Sequence, residues 1–258
     1  DQRQLPPVVL CEEAGSAGLS VSLFDRLLKS GLFEGALALN MLTVQYRMHP
    51  LIRQWPGERF YEGRLVDGPG CASQQLPGPS WLARPVSFLD TSVGLPPQCN
   101  KYNLAVAPHE QQHSEGGSKF NELEAELVRM VLDLLLPQVE ARGVGVISFY
   151  AAQVSEVKRN LEQHGGWADE WEAPGTKRYA GVEVKTVDGY QGREKDVIIL
   201  SCVRTAGLGF LADERRLNVA ITRARRALVV IGHSETLGIH PTWASWLSFA
   251  EAKGLRLK

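Results

Sequence analysis

Three short strings of charged, aromatic and glycine residues in this chain could do chemistry. The first is Tyr46-Arg47-Met48-His49-Pro50, where an aromatic ring could stack on a flat base while the neighbouring guanidinium makes paired bonds to phosphate. Taken alone the string is weak evidence, because Tyr46 could equally be a core residue with a solvated hydroxyl. We assign a structural role to His49, which stands directly before a proline.

The second string runs from Lys185 to Lys195 and contains two glycines. Glycine allows backbone conformations that other residues avoid. The string is either a connection whose charges face water or a loop that contacts a ligand. Three polar residues, Gln191, Arg193 and Glu194, surround the second glycine, Gly192, and this concentration favours a ligand-contacting loop.

The third string, 215–226, has apolar residues at helical spacing, and Arg216 and Arg223, seven positions apart, fall on another face of the predicted helix. One interpretation is a solvated basic face. The other is an anion-binding site, and it is favoured because a buried apolar strand is predicted directly afterwards, at 228–232. Such a strand would fix the basic residues at the edge of a sheet.

The elements that position these strings follow from apolar periodicity. Short apolar runs predict strands at 85–89, 143–149, 182–187, 196–203 and 228–232, and helical spacing predicts helices within 19–39, from 121 to about 137, at 151–161 and at 215–226. Asn121 followed by Glu124 is typical of a capping box. Strands that alternate with helices predict an α/β fold with a parallel, doubly wound sheet. In such sheets ligands bind at the carboxyl ends of the strands, where we expect the polar strings.

Composition excludes some classes of protein. The 28 Lys and Arg nearly balance the 29 Asp and Glu, so bulk charge identifies no partner. Cys11, Cys71, Cys99 and Cys202 include no Cys-x-x-Cys pair, which argues against a zinc site or a disulfide framework. No apolar run approaches the roughly 18 residues needed to span a membrane. We therefore expect an intracellular, reducing location, either the cytoplasm alone or the cytoplasm and the nucleus.

Two stretches bear on domain organisation. The chain opens without Met on a loop-like string at Asp1, and we expect it to be a piece of a longer protein. From 91 to 117 the composition shifts to Gly, Pro, Ser, Gln and His, which predicts a long, flexible surface insertion.

In their order along the chain, these strings resemble the motifs of superfamily one helicases. The similar segments are 2–7 (the end of motif III), 42–50 (the Gln-Tyr-Arg-Met-His-Pro segment), 145–153 (motif IV), 185–204 (motif V) and 215–232 (motif VI). The runs 17–26 and 191–204 resemble RNA helicases of the regulator-of-nonsense-transcripts type, which act in nonsense-mediated mRNA decay. The resemblance implies a RecA-like parallel sheet with helices on both faces. Residues 1–40 would be the end of motif III and a linker helix from a first RecA-like domain, and 41–258 the second.

The resemblance also implies a set of nucleotide-contacting residues: Gln4, Tyr46, Arg47, Gly192, Glu194 and Arg223. Gln4 matches the glutamine that senses the γ-phosphate, and Tyr46 the aromatic residue that stacks on adenine. Arg47 and Arg223 match the two arginine fingers and, with Gln4, would be the catalytic residues of this half. Glu194 matches the motif V carboxylate that contacts bound nucleotide.

Ser148, Tyr150 and Thr186 match positions that touch the nucleic-acid backbone in such helicases. The implied cofactors are ATP and Mg²⁺. The Gly-x-x-x-x-Gly-Lys-[Ser/Thr] phosphate loop and the Asp-Glu-Ala string that holds magnesium do not occur in this sequence. In the family both belong to the first RecA-like domain, so we expect no metal ligands here and no activity from this piece alone.

The implied partners are single-stranded RNA, the first RecA-like domain of the same polypeptide and other mRNA decay factors, with movement from 5′ to 3′. Three departures from the family pattern are Pro6 in place of glycine, Phe149 in place of proline, and the length of the 91–117 insertion. Two alternatives stay open. One is a superfamily one DNA helicase or helicase-nuclease, and the other is a non-catalytic RNA-binding remnant.

Overall fold

The computed structural model describes residues 1–9, 11–31, 41–73, 76, 84–93, 110–112, 117–168 and 177–257. Its strands are β1 (Val44–Gln45), β2 (Val66–Asp67), β3 (Val86–Asp90), β4 (Gln111–Gln112), β5 (Lys119–Phe120), β6 (Val144–Ser148), β7 (Glu183–Thr186), β8 (Lys195–Ser201), β9 (Ala224–Gly232) and β10 (Arg256–Leu257). Its α-helices are α1 (Glu12–Ala14), α2 (Leu23–Lys29), α3 (Pro50–Tyr61), α4 (Glu122–Leu135), α5 (Ala151–Gly165), α6 (Glu214–Ile221), α7 (Ser234–Leu237) and α8 (Pro241–Ala252).

A six-stranded sheet in the order β10-β3-β9-β8-β6-β7 is the centre of the fold, and each neighbouring pair is parallel. Apolar side chains cover both faces, as expected for a parallel sheet flanked by helices. Trp243 and Trp246 of α8 pack on one face together with apolar residues of α3 and α6. Leu127 of α4 and Leu161 of α5 pack on the other face. The predicted α/β fold class is confirmed.

Helix α4 begins where the capping box predicted. The Asn121 side-chain oxygen accepts a hydrogen bond from the Glu124 N–H at 3.1 Å. Glu124 does not complete the reciprocal half of the box, because the Asn121 N–H donates instead to Gln153 Oε1 at 2.7 Å. Glu124 is buried and accepts from the Ser201 hydroxyl at 2.6 Å, so it ties α4 to the end of β8.

Strands β7 and β8 both run parallel to β6, so the chain between them has to return along the sheet to the opposite end. It does so through residues 187–194, which include a 3-10 turn at Asp188–Tyr190 but no α-helix. Tyr190 lies against Gly145 of β6, where a Cβ atom would stand 1.9 Å from the tyrosine oxygen. The close approach at Gly145 lets this short connection cross the sheet face.

The helix predicted for 215–226 is too long. Helix α6 ends at Ile221, and β9 begins at Ala224. The Thr222 hydroxyl donates to the Asn218 carbonyl at 2.6 Å, and Ala224 enters register with Lys195 of β8. The prediction that Arg216 and Arg223 share a helix face is therefore wrong, because Arg223 lies beyond the end of the helix.

Within 19–39 the structure has α2, whose first turn is capped by the Ser22 hydroxyl, which accepts from the Asp25 N–H at 3.0 Å. Residues 32–40 lie outside the described part of the chain. Most of the predicted flexible insertion, 94–109 and 113–116 with Cys99, also lies outside it. The division at residue 40 stays a prediction. No helix among the described residues is long and apolar enough to cross a membrane.

Candidate functional site

The polar strings lie at two opposite ends of the sheet. Glu194 directly precedes β8 and Arg223 directly precedes β9, so both stand at the end where these strands begin, called here the amino edge. Ser148 and Thr186 end β6 and β7 at the opposite end, called the carboxyl edge. The prediction that all the strings meet at the carboxyl ends is therefore wrong. The return connection 187–194 and helix α6 carry the chain across the sheet before Glu194 and Arg223 are reached.

At the amino edge, two predicted arginine fingers meet around Thr222. Arg47 Nε forms an ion pair with Glu194 Oε2, and an Arg47 terminal nitrogen donates to the Thr222 carbonyl at 3.2 Å. A terminal nitrogen of Arg223 donates to the Thr222 hydroxyl at 3.0 Å and to Gln4 Oε1 at 3.2 Å. The structure thus brings together four of the six residues predicted to contact nucleotide.

Two amide side chains hold the first residues of the chain against this edge. Gln191 Nε2 donates to the Leu5 carbonyl at 3.1 Å, and Asn218 Nδ2 donates to the Arg3 carbonyl at 2.9 Å. Leu5 is buried in the core on this face of the sheet. These contacts place the Gln4 side chain next to Arg223.

Gln45 shapes the turn that presents Arg47, and sequence reasoning missed it. Its side-chain oxygen accepts from the N–H groups of Arg47 at 2.9 Å and Met48 at 2.7 Å. Its side-chain nitrogen donates to the Met48 carbonyl and to Asp67 Oδ1, both at 2.7 Å. Asn, Asp, Ser and Thr are the residues that usually hydrogen-bond to the backbone of their own turn. A longer glutamine does so here, and its presence just before Tyr46 was the available signal.

Tyr46, the predicted stacking residue, is 65% exposed. Gly68 lies under its ring, and a Cβ atom there would be 2.4 Å from both Cδ1 and Cε1 of Tyr46. Only glycine allows the ring to lie in this position. The contact joins residues 22 positions apart, so no local sequence pattern revealed Gly68.

The remaining residues of these two strings have simpler environments. Gly192 has φ +79°, a conformation that favours glycine, and a Cβ atom there would meet nothing within 4 Å. His49 caps α3, since its Nδ1 accepts from the Leu51 N–H at 3.1 Å, which confirms its structural role.

At the carboxyl edge, the predicted nucleic-acid residues are mostly engaged within the protein. Ser148 is 2% exposed, and its hydroxyl donates to the Ser201 carbonyl at 3.0 Å. Thr186 is half-buried, and its hydroxyl oxygen accepts from the Gly189 N–H at 3.3 Å. A contact of the Ser148 hydroxyl with nucleic acid would require the edge to open, whereas Thr186 is partly accessible.

Tyr150 is 4% exposed and acts as an anchor for the loop that follows β8. Its hydroxyl donates to the Leu208 carbonyl at 3.3 Å and accepts from the Phe210 N–H at 3.1 Å and from Arg204 at 3.2 Å. The ring of Phe210, which is exposed, lies 5.3 Å from the Tyr150 ring. Tyr150 therefore positions the loop that forms the outer surface of this edge.

Residues 19–235 match the family described as AAA domain, which is more than half of the chain. The chain belongs to the AAA domain family. It is 36% identical over 98% of its length to Regulator of nonsense transcripts 1 of Caenorhabditis elegans, 38% over 99% to Helicase sen1 of Schizosaccharomyces pombe, and 34% over 98% to ATP-dependent helicase upf1 of the same yeast.

The chain spans 22%, 14% and 25% of the lengths of these three relatives, respectively. The resemblance to helicases of the regulator-of-nonsense-transcripts type is confirmed at the level of sequence similarity. Helicase sen1 is as similar as the other two, so similarity alone does not separate these branches.

In this AAA domain the amino edge carries a surplus of positive charge. Burial and the nearby charge of Arg47 lower the pKa of Arg223 to about 10, which leaves it charged at neutral pH. Glu194 is the carboxylate paired with Arg47. A depression of about 520 Å³ opens beside Glu194. Its charged lining consists of four basic side chains, Arg142, Lys195, Arg225 and Arg226, and three acidic ones, Glu140, Glu194 and Asp196. Two converging guanidinium groups at an open, basic edge fit an anionic ligand such as a polyphosphate.

Proposed function

We propose that this chain is the second RecA-like domain of an ATP-dependent RNA helicase that acts in nonsense-mediated mRNA decay. ATP would lie between the amino edge and a first RecA-like domain of the same polypeptide. The observation that carries the proposal is the convergence of Gln4, Arg47 and Arg223, which approach one another around Thr222.

Each of these side chains has a role that its geometry supports. Bound ATP, with Mg²⁺ held by the first domain, supplies the phosphoryl group for transfer to water. Arg47 and Arg223 neutralise negative charge that develops on that group, which is what arginine fingers do in phosphoryl-transfer enzymes. Gln4 contacts Arg223 directly, which supports the proposal that it responds to the same phosphate.

The ion pair between Arg47 and Glu194 gives the site a resting arrangement. A γ-phosphate competes with the Glu194 carboxylate for the Arg47 guanidinium, because both are anions that accept from the same donors. Domain closure would bring the two fingers onto the phosphate and complete the catalytic set only when nucleotide is present.

Two further groups complete the nucleotide site. Tyr46 offers an exposed ring face for the adenine base, backed by Gly68. Gly192 and Glu194 lie in the loop next to the fingers, where Glu194 would contact the bound nucleotide once it is released from Arg47.

The carboxyl edge is the proposed contact surface for single-stranded RNA. Thr186 is partly accessible there, whereas Ser148 and Tyr150 shape the edge from within. Contacts to the backbone grip a strand without reading its sequence. Repeated closing and opening of the two domains would move the strand from 5′ to 3′. The proposed location is the cytoplasm, with other mRNA decay factors as partners.

The test is alanine substitution of Arg47 and, separately, of Arg223 in the full-length protein. We expect kcat for ATP hydrolysis to fall by about 10³- to 10⁵-fold, the usual effect of losing an arginine finger, with RNA affinity retained. Arg59→Ala is the matched control for Arg47→Ala, because Arg59 is also a partly exposed arginine in an ion pair, with Glu214 at 2.7 Å. Its kcat should remain near that of the wild type.

The same assay, run with poly(U) and poly(dT), distinguishes the alternatives. Stronger stimulation of hydrolysis by poly(U) supports an RNA helicase, and a clear preference for poly(dT) would favour the DNA helicase. Hydrolysis that is absent from the intact wild-type protein would favour the non-catalytic RNA-binding remnant.

A further inference from the structure

The carboxylate of Glu110 accepts hydrogen bonds from a group of N–H donors in the loop that follows β8. Its Oε2 atom accepts from the N–H groups of Thr205 at 2.6 Å and Ala206 at 3.1 Å, and from Arg204 Nε at 3.0 Å. The Glu110 side chain is 9% exposed. Consecutive backbone N–H groups that converge on one point form an anion-binding nest, and a guanidinium strengthens it. We call Arg204, Thr205 and Ala206 the β8 nest.

Contacts other than Glu110 hold the β8 nest in shape. Val203, the residue just before it, has φ +74°, which is uncommon for a non-glycine residue. The buried Glu124 carboxylate accepts from the Val203 N–H at 2.9 Å, and Asn121 Nδ2 donates to the Val203 carbonyl at 3.2 Å. Arg204 is fixed on its other side by the Tyr150 hydroxyl at 3.2 Å. Groups at the start of α4 and directly before α5 therefore hold the Val203 backbone and the Arg204 side chain through contacts that do not involve Glu110.

Glu110 itself comes from a peripheral part of the fold. It directly precedes β4, a two-residue strand that pairs antiparallel with β5 and is not part of the six-stranded sheet. Its backbone N–H donates to the Thr205 hydroxyl at 3.1 Å, and Lys119 lies 3.8 Å from its Oε1 atom. An occupant attached through so small an element can leave without disturbing the sheet.

The occupant is an anion. Burial alone would raise the pKa of Glu110, but the hydrogen bonds from Thr205, Ala206 and Arg204 outweigh it and keep the pKa below its ordinary value. The nest therefore holds a negatively charged oxygen at neutral pH. A non-bridging phosphate oxygen has the same charge and accepts from the same donors.

We propose that the β8 nest binds a backbone phosphate of single-stranded RNA and that Glu110 occupies it as an internal phosphate mimic until the strand displaces it. The inference rests on the proposed function, because it assumes that RNA lies along the carboxyl edge beside Tyr150 and Thr186. It adds a phosphate site to that surface. It also makes Glu110 an internal competitor that lowers the affinity for RNA.

The test is Glu110→Gln in the full-length protein, with binding of a fluorescein-labelled oligouridylate measured by fluorescence anisotropy over a range of salt concentrations. The amide keeps the shape of the side chain but removes its charge, so RNA should bind about tenfold more tightly, as expected for weakening a charge-assisted competitor. The slope of log affinity against log salt should become steeper by up to about 0.7, the value for one phosphate on a single strand. In the wild type the displaced Glu110 carboxylate takes up a cation in place of the one that the phosphate releases, whereas the amide of the Glu110→Gln variant takes up none.

Glu140→Gln is the matched control. It removes the same charge, but Glu140 is exposed and pairs with Arg142 near the start of β6, at the other end of the sheet. Its affinity and salt slope should stay at wild-type values. The double variant Glu110→Gln/Arg204→Gln should lose the gain, because the guanidinium that would hold the phosphate is gone.

Glu110→Ala removes the side chain from the nest and should also bind RNA more tightly than the wild type. It shows whether the effect of Glu110→Gln comes from the introduced amide instead. Thermal unfolding confirms that each variant is folded. If both Glu110 variants bind RNA as the Glu140→Gln control does, the inference is overturned while the proposed function stands. Failure of the wild type and every variant to bind RNA would remove the proposed function itself.

Discussion

The side chains at the amino edge are held mainly by one another. Thr222 accepts from Arg223 through its hydroxyl and from Arg47 through its carbonyl, so one residue sets the spacing of both guanidinium groups. Arg223 is additionally fixed by its Nε bond to the Val219 carbonyl at 2.9 Å. Arg47 has the more exposed side chain and an ion pair that an anion could replace, whereas Arg223 is buried. If the two act as the proposed arginine fingers, we expect Arg223 to keep its position and Arg47 to change partner when nucleotide binds.

Gly68 provides the sharpest test at the level of single residues. Gly68→Ala places a Cβ atom 2.4 Å from two Tyr46 ring carbons, so the exposed ring has to move. We expect ATP affinity to fall about tenfold, since stacking of a base on an aromatic ring is worth about 1–3 kcal/mol. The unfolding temperature should change little, because an exposed ring can move aside. Equilibrium binding of a fluorescent ATP analogue measures the effect.

Two comparisons make the Gly68 result interpretable. Gly15→Ala is the control, because a Cβ atom at Gly15 has no contact closer than 4.0 Å. Gly68→Ala should have no further effect in a Tyr46→Ala background, as expected for two changes that remove one interaction. Unchanged ATP affinity in Gly68→Ala would mean that the position of the Tyr46 ring is unimportant.

At the scale of elements, the sequence predicts best where one signal dominates. The apolar runs of β6 and β8 could be assigned because strands buried on both faces need little else. Helix α4 could be assigned because Asn121 gives a local start signal. The end of α6 could not be predicted, because Ala224 and Ala227 fit a helix face as well as a strand. The pairing of Ala224 with Lys195 decides it, and that pairing is not local.

The candidate site shows the same limit. Motif resemblance identified Arg47, Glu194 and Arg223, and the structure brings them together. The resemblance did not reveal which end of the sheet these residues occupy, because their position depends on how the connection 187–194 crosses between strands. Gln45 hydrogen-bonds to its own turn, so the local sequence contained a weak indication of its role. Gly68 contacts a residue 22 positions away, so the local sequence contained no indication of its role.

The buried network at the carboxyl edge leads to a prediction about pH. Burial raises the pKa of Glu124 to about 7 from an ordinary 4.5, even though Ser201 and Val203 donate hydrogen bonds to it. The folded state therefore holds this proton more tightly than the unfolded state. The contribution of this proton to the free energy of unfolding is complete below pH 4.5 and is lost as pH rises to about 7. Its loss lowers the free energy of unfolding by roughly 3 kcal/mol.

Glu124→Gln imitates the protonated form and should remove this loss. At pH 8 the variant should be more stable than the wild type, and at pH 4 the two should be similar, as measured by urea unfolding at both pH values. Glu122→Gln, on the same first turn of α4 but only half-buried, is the control and should keep the wild-type pH dependence. A Glu124→Gln variant less stable than the wild type at pH 8 would contradict the assignment.

At the scale of the whole molecule, the two candidate surfaces lie at opposite ends of the same sheet. Strand β8 runs from Lys195, next to Glu194 at the amino edge, to Ser201 at the carboxyl edge, and Val203 and the β8 nest follow it. Helix α6 and strand β9 lie on either side of Arg223. A strand buried on both faces transmits displacement as a rigid unit. In the proposed mechanism, closure at the amino edge would therefore move the carboxyl edge, the proposed RNA surface, with it.

This arrangement predicts what residues 1–258 can do alone. The chain supplies Arg47, Arg223 and Gln4 but has no phosphate-loop string anywhere in its sequence. We expect the isolated chain, once circular dichroism shows that it is folded, to release no phosphate from ATP above background, with or without oligouridylate, and to unwind no duplex. Turnover that persists in a preparation of Arg223→Ala would indicate a contaminating enzyme. Turnover that disappears with Arg223→Ala would mean that this chain holds a complete site, and the two-domain mechanism would have to be abandoned.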